Sequence, residues 1–248
     1  MHLILTGATG LVGSGVLHHM INTAAVTTVS VLARRPVPQA EGHDKVKVIV
    51  QKDFGSYPEE LLEQLRGAEG CVWAQGISIT KVTKEEYQKI TYDWPLAAAR
   101  AFCKIPGNPK PFKFVYISGQ GATTSPGIFT QHFGVIKGRA EASLLALAKD
   151  PKFKNLRPYS LRPGGVDPVH HVEIHKFLPQ RKGFQKVMEE SLVSALRVAM
   201  KSTISPTREL GRVATDLASG DGQPLQGKGL EDEGRILSNV AIRRLAGI

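Results

Sequence analysis

The stretch Thr6-Gly7-Ala8-Thr9-Gly10-Leu11-Val12-Gly13 decides the reading of the chain. A short apolar run, Leu3 to Leu5, leads into it, and Leu11, Val12, Val16, Leu17 and Met20 follow at helical spacing. The pattern is strand, tight turn, helix. Glycines spaced by two residues let the backbone turn sharply, approach a diphosphate and pack the new helix on the strand. The helix start then offers free N–H groups and a positive dipole end. A second strand, Thr27 to Leu32, returns where a βαβ unit requires one, so the stretch reads as a dinucleotide site and not a plain glycine turn.

At 248 residues the chain suits one α/β domain, and neither a Pro/Gly/Ser-rich linker nor an internal repeat divides it. The expected domain is 1–248, with a dinucleotide-binding core of about 1–168 and a substrate-side part of about 169–248. No apolar run reaches the ~20 residues that a membrane span needs, and the start enters a strand directly, which predicts a cytoplasmic protein. Two cysteines, Cys71 and Cys103, are too few for a disulfide framework and read as buried free thiols. The net charge of +10 allows an anionic partner, and basic residues crowd 104–113 and 175–186. Aromatic residues are sparse there and no nucleic-acid motif is present, so nucleic acid is not the expected partner.

Strand two ends in Leu32-Ala33-Arg34-Arg35-Pro36. An NAD-selective site places an acid here for the ribose 2′-hydroxyl, whereas a 2′-phosphate calls for arginine. Arg34 and Arg35 therefore predict NADP(H). Val46 to Val50 reads as strand three, and a capping box at Ser56/Glu59 opens a helix with Leu61, Leu62 and Leu65 on one face before Gly67. Gly70 to Ala74 is strand four. Ligands of doubly wound sheets lie across the carboxyl ends of the strands, so Ala74 and Gly76 should border the cofactor. A second capping box, Thr83/Glu86, starts a short helix, and Asp93 with Pro95 starts another that runs to Phe102. Lys113 to Ile117 is strand five, residues 131 to 148 form a long helix, and Tyr159 to Leu161 is strand six. Further on, Met188 to Met200 reads as an amphipathic helix, Ser205-Pro206 caps another to Ala218, and Glu231 to Glu233 begin a last one ending at Arg243 and Arg244. The fold expected is a Rossmann-type doubly wound parallel sheet with helices on both faces and a small substrate-side helical region.

Four motifs together carry a family resemblance: the glycine run, Val115-Tyr116-Ile117-Ser118-Gly119, Lys137-Gly138-Arg139-Ala140-Glu141 and Leu161-Arg162-Pro163-Gly164. Over roughly residues 1 to 168 the chain resembles the short-chain dehydrogenase/reductase superfamily, in its atypical and extended branch of NmrA-like, TIP30-like and nucleoside-diphosphate-sugar epimerase-like proteins. The resemblance implies that Thr6, Gly7, Thr9, Gly10, Leu11, Val12 and Gly13 hold the diphosphate, and that Asp53 and the backbone of Phe54 meet the adenine. It also implies that Pro163, Gly164 and Val166 pass over the nicotinamide. Ser118 would orient the substrate oxygen, and Lys137 would hold the nicotinamide ribose. In these relatives the proton is moved by a tyrosine four residues before the lysine, about one helical turn away, so that both share a face. Phe133 stands there and cannot exchange a proton. His132, Tyr116, Tyr92 or a water on Ser118 are the candidate replacements. His171 and His175 have the spacing of a metal pair, but lack the Glu of His-Glu-x-x-His, and no metal is expected.

The expected function is an NADP(H)-dependent oxidoreductase of a small, mostly apolar carbonyl or enone. A non-redox isomerase or cyclase, or a non-catalytic NADP(H) sensor, are the alternatives that Phe133 leaves open.

Overall fold

The computed structural model describes residues 1–178 and 201–248. The proposed helix from Met188 to Met200, and 179–186 of the second basic cluster, lie outside the described residues.

Six strands follow the expected order: β1 His2–Thr6, β2 Thr28–Ala33, β3 Val46–Val50, β4 Ala68–Trp73, β5 Phe112–Ile117 and β6 Leu156–Leu161. β5 is buried at every position and β2 at all but its first, as a sheet covered on both faces requires. Among the described residues, four further short strands are β7 Gly165–Asp167, β8 Ile204–Pro206, β9 Leu230–Glu231 and β10 Ile236–Leu237. The main sheet runs β3-β2-β1-β4-β5-β6-β10-β9, while β7 and β8 pair separately. All pairs in the main sheet are parallel except β9 with β10. The strand order reverses between β1 and β4, which opens a crevice at their carboxyl ends.

One face is covered by α1 Leu11–Asn22, α6 Thr207–Ser219 and α7 Asn239–Ala246, through a core that includes Val16, Leu17, Leu210, Val213 and Ile242. The other carries α2 Glu59–Gln64, α3 Lys84–Gln88, α4 Trp94–Phe102 and α5 His132–Lys149, around Leu61, Trp73, Phe102, Phe114 and Leu144. The doubly wound architecture is the one read from the sequence.

Several local expectations are corrected. Ser56 does not cap α2: Pro58 occupies the cap, and a proline holds the residue before it in extended backbone, so the helix starts only at Glu59. Asp93 does not start a helix, because a π turn, Lys89–Asp93, joins α3 to α4 without a break. Pro95, which has no N–H to give, sits just after that widened turn. The Thr83/Glu86 capping box forms as expected. Ser205 lies in β8 and its hydroxyl bonds Asn239, leaving Pro206 at the start of α6. Glu231 ends β9, Asp232 and Glu233 lie in the turn of the β9–β10 hairpin at positive φ (47° and 56°), and the last helix begins beyond them at Asn239. Cys71 is buried as expected, but Cys103 is only half-buried, and both thiols are free. The stretch from 169 on supplies scaffold as well: α6 lies against α1 and β10 extends the sheet beside β6.

Among the described residues, no helix is long and apolar enough to cross a membrane.

Candidate functional site

Gly7 sits at φ +72°, and a side chain there would bring its Cβ to 2.4 Å from the Ala74 carbonyl oxygen. The same addition at Gly13 would end 2.0 Å from the Gly7 oxygen. The ends of β1 and β4 therefore meet through bare backbone, with α1 pressed on the turn, and only glycine permits this. The hydrogen bond from Gly10 N to Gly7 O (2.9 Å) closes the turn. Thr9, Gly10, Leu11 and Val12 are half-buried around the start of α1, while Thr6 is fully buried with its hydroxyl unbonded among the described residues. Gly10, at the cap, has no side-chain partner for the helix N–H groups.

At the end of β2, Arg34 and Arg35 are both exposed, and neither makes a hydrogen bond or ion pair among the described residues. Asp53 lies at the neighbouring strand end, exposed, and its Oδ1 accepts from Gly55 N (2.9 Å) in a local turn. Phe54 is buried against Trp73 and Trp94, so only its backbone faces this edge. Gly76 is exposed at the end of β4.

The other half of the crevice is set by β5, α5 and β6. Ser118 is buried, and its Oγ has no hydrogen-bond partner among the described residues. Lys137 crosses from α5 to the same strand end, donating to the carbonyls of Ile117 (3.2 Å) and Ser118 (2.8 Å) with its ammonium over the Tyr116 ring. Burial pushes its pKa down to about 8, against the opposing pull of Glu141 one turn on. Gly138 fixes the loop that leaves β5, since a Cβ there would lie 1.7 Å from the Thr123 oxygen. Phe133 is half-buried, with its ring end over Gly121. Pro163 is joined to this loop by Gln120 N donating to its carbonyl (2.8 Å), and Val166 is half-buried in β7.

Two candidate acids are otherwise engaged. The Tyr116 hydroxyl is buried and donates to the Thr91 carbonyl (3.0 Å), with burial raising its pKa well above the usual value. The Tyr92 hydroxyl bonds Ser143 (3.0 Å), six residues beyond Lys137. His132 is exposed at the first position of α5.

Sequence reading missed two polar clusters, the first of them next to Lys137. Glu141, fully buried, takes Arg162 in a bidentate pair with Nε and Nη2 (3.0 and 2.7 Å), and Arg162 also reaches Glu231 (2.8 Å). The Lys137/Glu141 spacing of four residues hinted at the first cluster. Nothing in the sequence signals the second, where His171 Nε2 meets His18 Nδ1 (2.8 Å) and His171 Nδ1 meets Thr207 Oγ1 (3.0 Å). His175 turns elsewhere, to the Pro168 carbonyl (2.8 Å), so it does not share a face with His171. Among the described residues no group of three or more His, Cys, Asp or Glu is placed to hold a metal ion.

Burial, then the adjacent His18, lowers the His171 pKa to about 4. The unfolded chain therefore takes up a proton that the folded one refuses. The stability from this residue is complete above about pH 6.5 and is lost as pH falls from there toward 4. Melting temperature measured from pH 7.5 to 4.5 is expected to fall less steeply in His171→Gln than in the parent, and parallel curves would refute this.

No family model matches the chain. It is 34% identical over 260 residues to leucinostatins biosynthesis cluster protein T of Purpureocillium lilacinum, covering 98% of this chain and 94% of that protein. The chain belongs to that protein's family. This leucinostatins T family member is also 41% identical over 157 residues to botcinic acid biosynthesis cluster B protein 16 of Botryotinia fuckeliana (62% and 98% of the two chains). Over 162 residues it is 31% identical to the mitochondrial protein FMP52 of Debaryomyces hansenii (65% and 67%). Among solved structures, a short chain dehydrogenase family protein of Francisella tularensis matches with a TM-score of 0.65 at 15% identity, over 96% of both chains. The enzyme WbmF of Bordetella bronchiseptica, in complex with NAD+ and UDP, matches with a TM-score of 0.66 at 14% identity, over 99% of this chain and 78% of that one. The chain thus has the short-chain dehydrogenase/reductase fold that its motifs resemble.

Proposed function

We propose that the chain is an NADP(H)-binding oxidoreductase of a small, mostly apolar carbonyl or enone. The observation that carries the reading is the bare-backbone contact of Gly7, Gly13 and Ala74, a cradle that any Cβ would fill, at the switch point of the sheet. The unpaired Arg34 and Arg35 support a 2′-phosphate at its adenosine end, beside Asp53 and the Phe54 backbone. The unbonded Ser118 hydroxyl supports a ligand oxygen at the other end. When bound, the nicotinamide would supply the hydride.

In this reading Thr6, Thr9 and the start of α1 bind the diphosphate, with Ala74 and Gly76 bordering it. Lys137, pinned on two carbonyls, keeps one N–H for the ribose. Ser118 orients the reacting oxygen, and Pro163 and Val166 close the nicotinamide side. Residues 1–248 act as one NAD(P)-binding domain, the core ending near 168. The location proposed is cytoplasmic, and cell fractionation distinguishes it from a mitochondrial one.

Phe133, together with the engaged Tyr116 and Tyr92 hydroxyls, favours a second reading: a non-redox isomerase or cyclase, or an NADP(H) sensor. Transfer of deuteride from 4-deuterated NADPH to product tests the first reading, and its absence across a broad carbonyl and enone panel overturns it. Phe133→Tyr is expected to raise carbonyl reduction by roughly 100-fold, the usual contribution of a positioned acid, in steady-state assays. An unchanged rate would mean that the pocket has diverged beyond the missing hydroxyl.

A further inference from the structure

Formal charge is partitioned along the carboxyl edge of the sheet. Arg34 and Arg35 follow β2, and Lys52 and Asp53 follow β3. On the opposite half, three stretches lie after β4, β5 and β6: residues 74–80, 118–133 and 163–166, the last set off from β6 by Arg162, whose guanidinium is held by Glu141 and Glu231. Not one of them contains Lys, Arg, Asp or Glu, in a chain of which 22% of residues are charged. They carry instead Ile77, Ile79, Ile128, Phe129, Phe133 and Val166. The strand order β1-β4-β5-β6 brings the three stretches side by side.

The middle stretch ends in a built feature. Thr130 N donates to the Gly127 carbonyl (3.0 Å) and Gly127 N donates to the Thr130 hydroxyl (2.9 Å), so the turn is closed from both sides. Its two corner residues, Ile128 and Phe129, are 93% and 92% exposed. Among the described residues, the other strongly exposed large apolar side chains, Val50, Val172, Val240 and Ile248, occur singly, which is ordinary for a surface. Only Ile128 and Phe129, among the described residues, place two such side chains next to each other in sequence. The turn directly precedes α5, whose Lys137 reaches the end of β5 roughly one and a half helical turns later, so it stands on the ligand side of that edge.

We infer that this mouth takes an uncharged substrate with an apolar chain, gripped by Ile128 and Phe129, and excludes nucleoside-diphosphate sugars. A diphosphate needs arginine, lysine or a row of free N–H groups to replace its water. Among the described residues, these three stretches offer no such cation, and Arg162 beside them is taken up by Glu141 and Glu231. Lys137, at the end of β5, is already held by two carbonyls. An uncharged chain pays no such desolvation cost, and it covers two side chains otherwise left in water.

The inference rests on the dinucleotide reading, since it assigns the half of the crevice which that reading leaves for substrate. The test is saturation-transfer NMR on the protein with saturating NADPH, using trans-3-decen-2-one and UDP-glucose as probes, on the parent and on I128S/F129S. The parent is expected to bind the enone without displacement by UDP-glucose. The double variant should bind it about ten-fold more weakly, with unchanged NADPH affinity. Displacement by UDP-glucose, full enone affinity in the double variant, or no enone binding by the parent would each overturn the inference. A parallel NADPH titration separates the two claims: absence of NADPH binding would sink the cofactor reading and this inference with it, whereas NADPH binding without variant-sensitive enone binding would sink this inference alone.

Discussion

Reversing the charge at both arginines, in Arg34→Glu/Arg35→Glu, is expected to weaken NADPH binding by roughly 100- to 1000-fold and NADH binding by less than ten-fold. Each charge-assisted bond to a 2′-phosphate contributes about 1.5–3 kcal/mol, and two glutamates would add repulsion. Both side chains are exposed, so the exchange leaves the core untouched and the loss can be read as binding alone. Fluorescence titration with the two cofactors measures it directly. Equal loss of both would refute the 2′-phosphate assignment and leave only the diphosphate cradle in place.

The second large effect concerns stability. Glu141→Ala is expected to cost about 3–5 kcal/mol, because it strands the Arg162 guanidinium in a buried position with Glu231 as its remaining charged partner. For a chain of this size that lowers the melting temperature by roughly 10 °C. The cost arises from the charge left behind more than from the bond removed. Replacing the pair together, as Glu141→Leu/Arg162→Met, should therefore recover most of it. Calorimetry on the single and double variants decides between these accounts, and a double variant no more stable than the single would show that the pair itself holds α5 to the loop after β6.

What was legible in the sequence was what short-range physics controls. The run Thr6 to Gly13 announces its turn, since glycine at positive φ and the following apolar spacing are local facts, and β3 is found at the residues expected. The Thr83/Glu86 box caps its helix because both partners lie within one turn. Errors arose where a local signal met a stronger neighbour. Ser56 lost its cap to Pro58, and Asp93 was absorbed by a helix that widens instead of stopping. The site itself was read unevenly for a related reason. Ser118 and Arg34 follow from strand ends and Lys137 from the family's helix motif, and the structure brings Ser118 and Lys137 together. Contacts such as His18 with His171 join residues 153 apart and leave no trace in spacing. The hydroxyls of Tyr116 and Tyr92 looked available in sequence because nothing there tells which way a side chain on a strand or helix is engaged.

The hairpin that carries Glu231 also has a consequence for how the protein is made. The ribosome delivers β1 to β5 first, and the glycine cradle with its two neighbouring strand ends can close as soon as β4 emerges. Arg162 emerges well before Glu231, and β6 gains its outer neighbour only when Ile236 and Leu237 arrive. During synthesis the strand ends around the glycine turn are therefore delivered before the residues that lock the segment holding Pro163 and Val166.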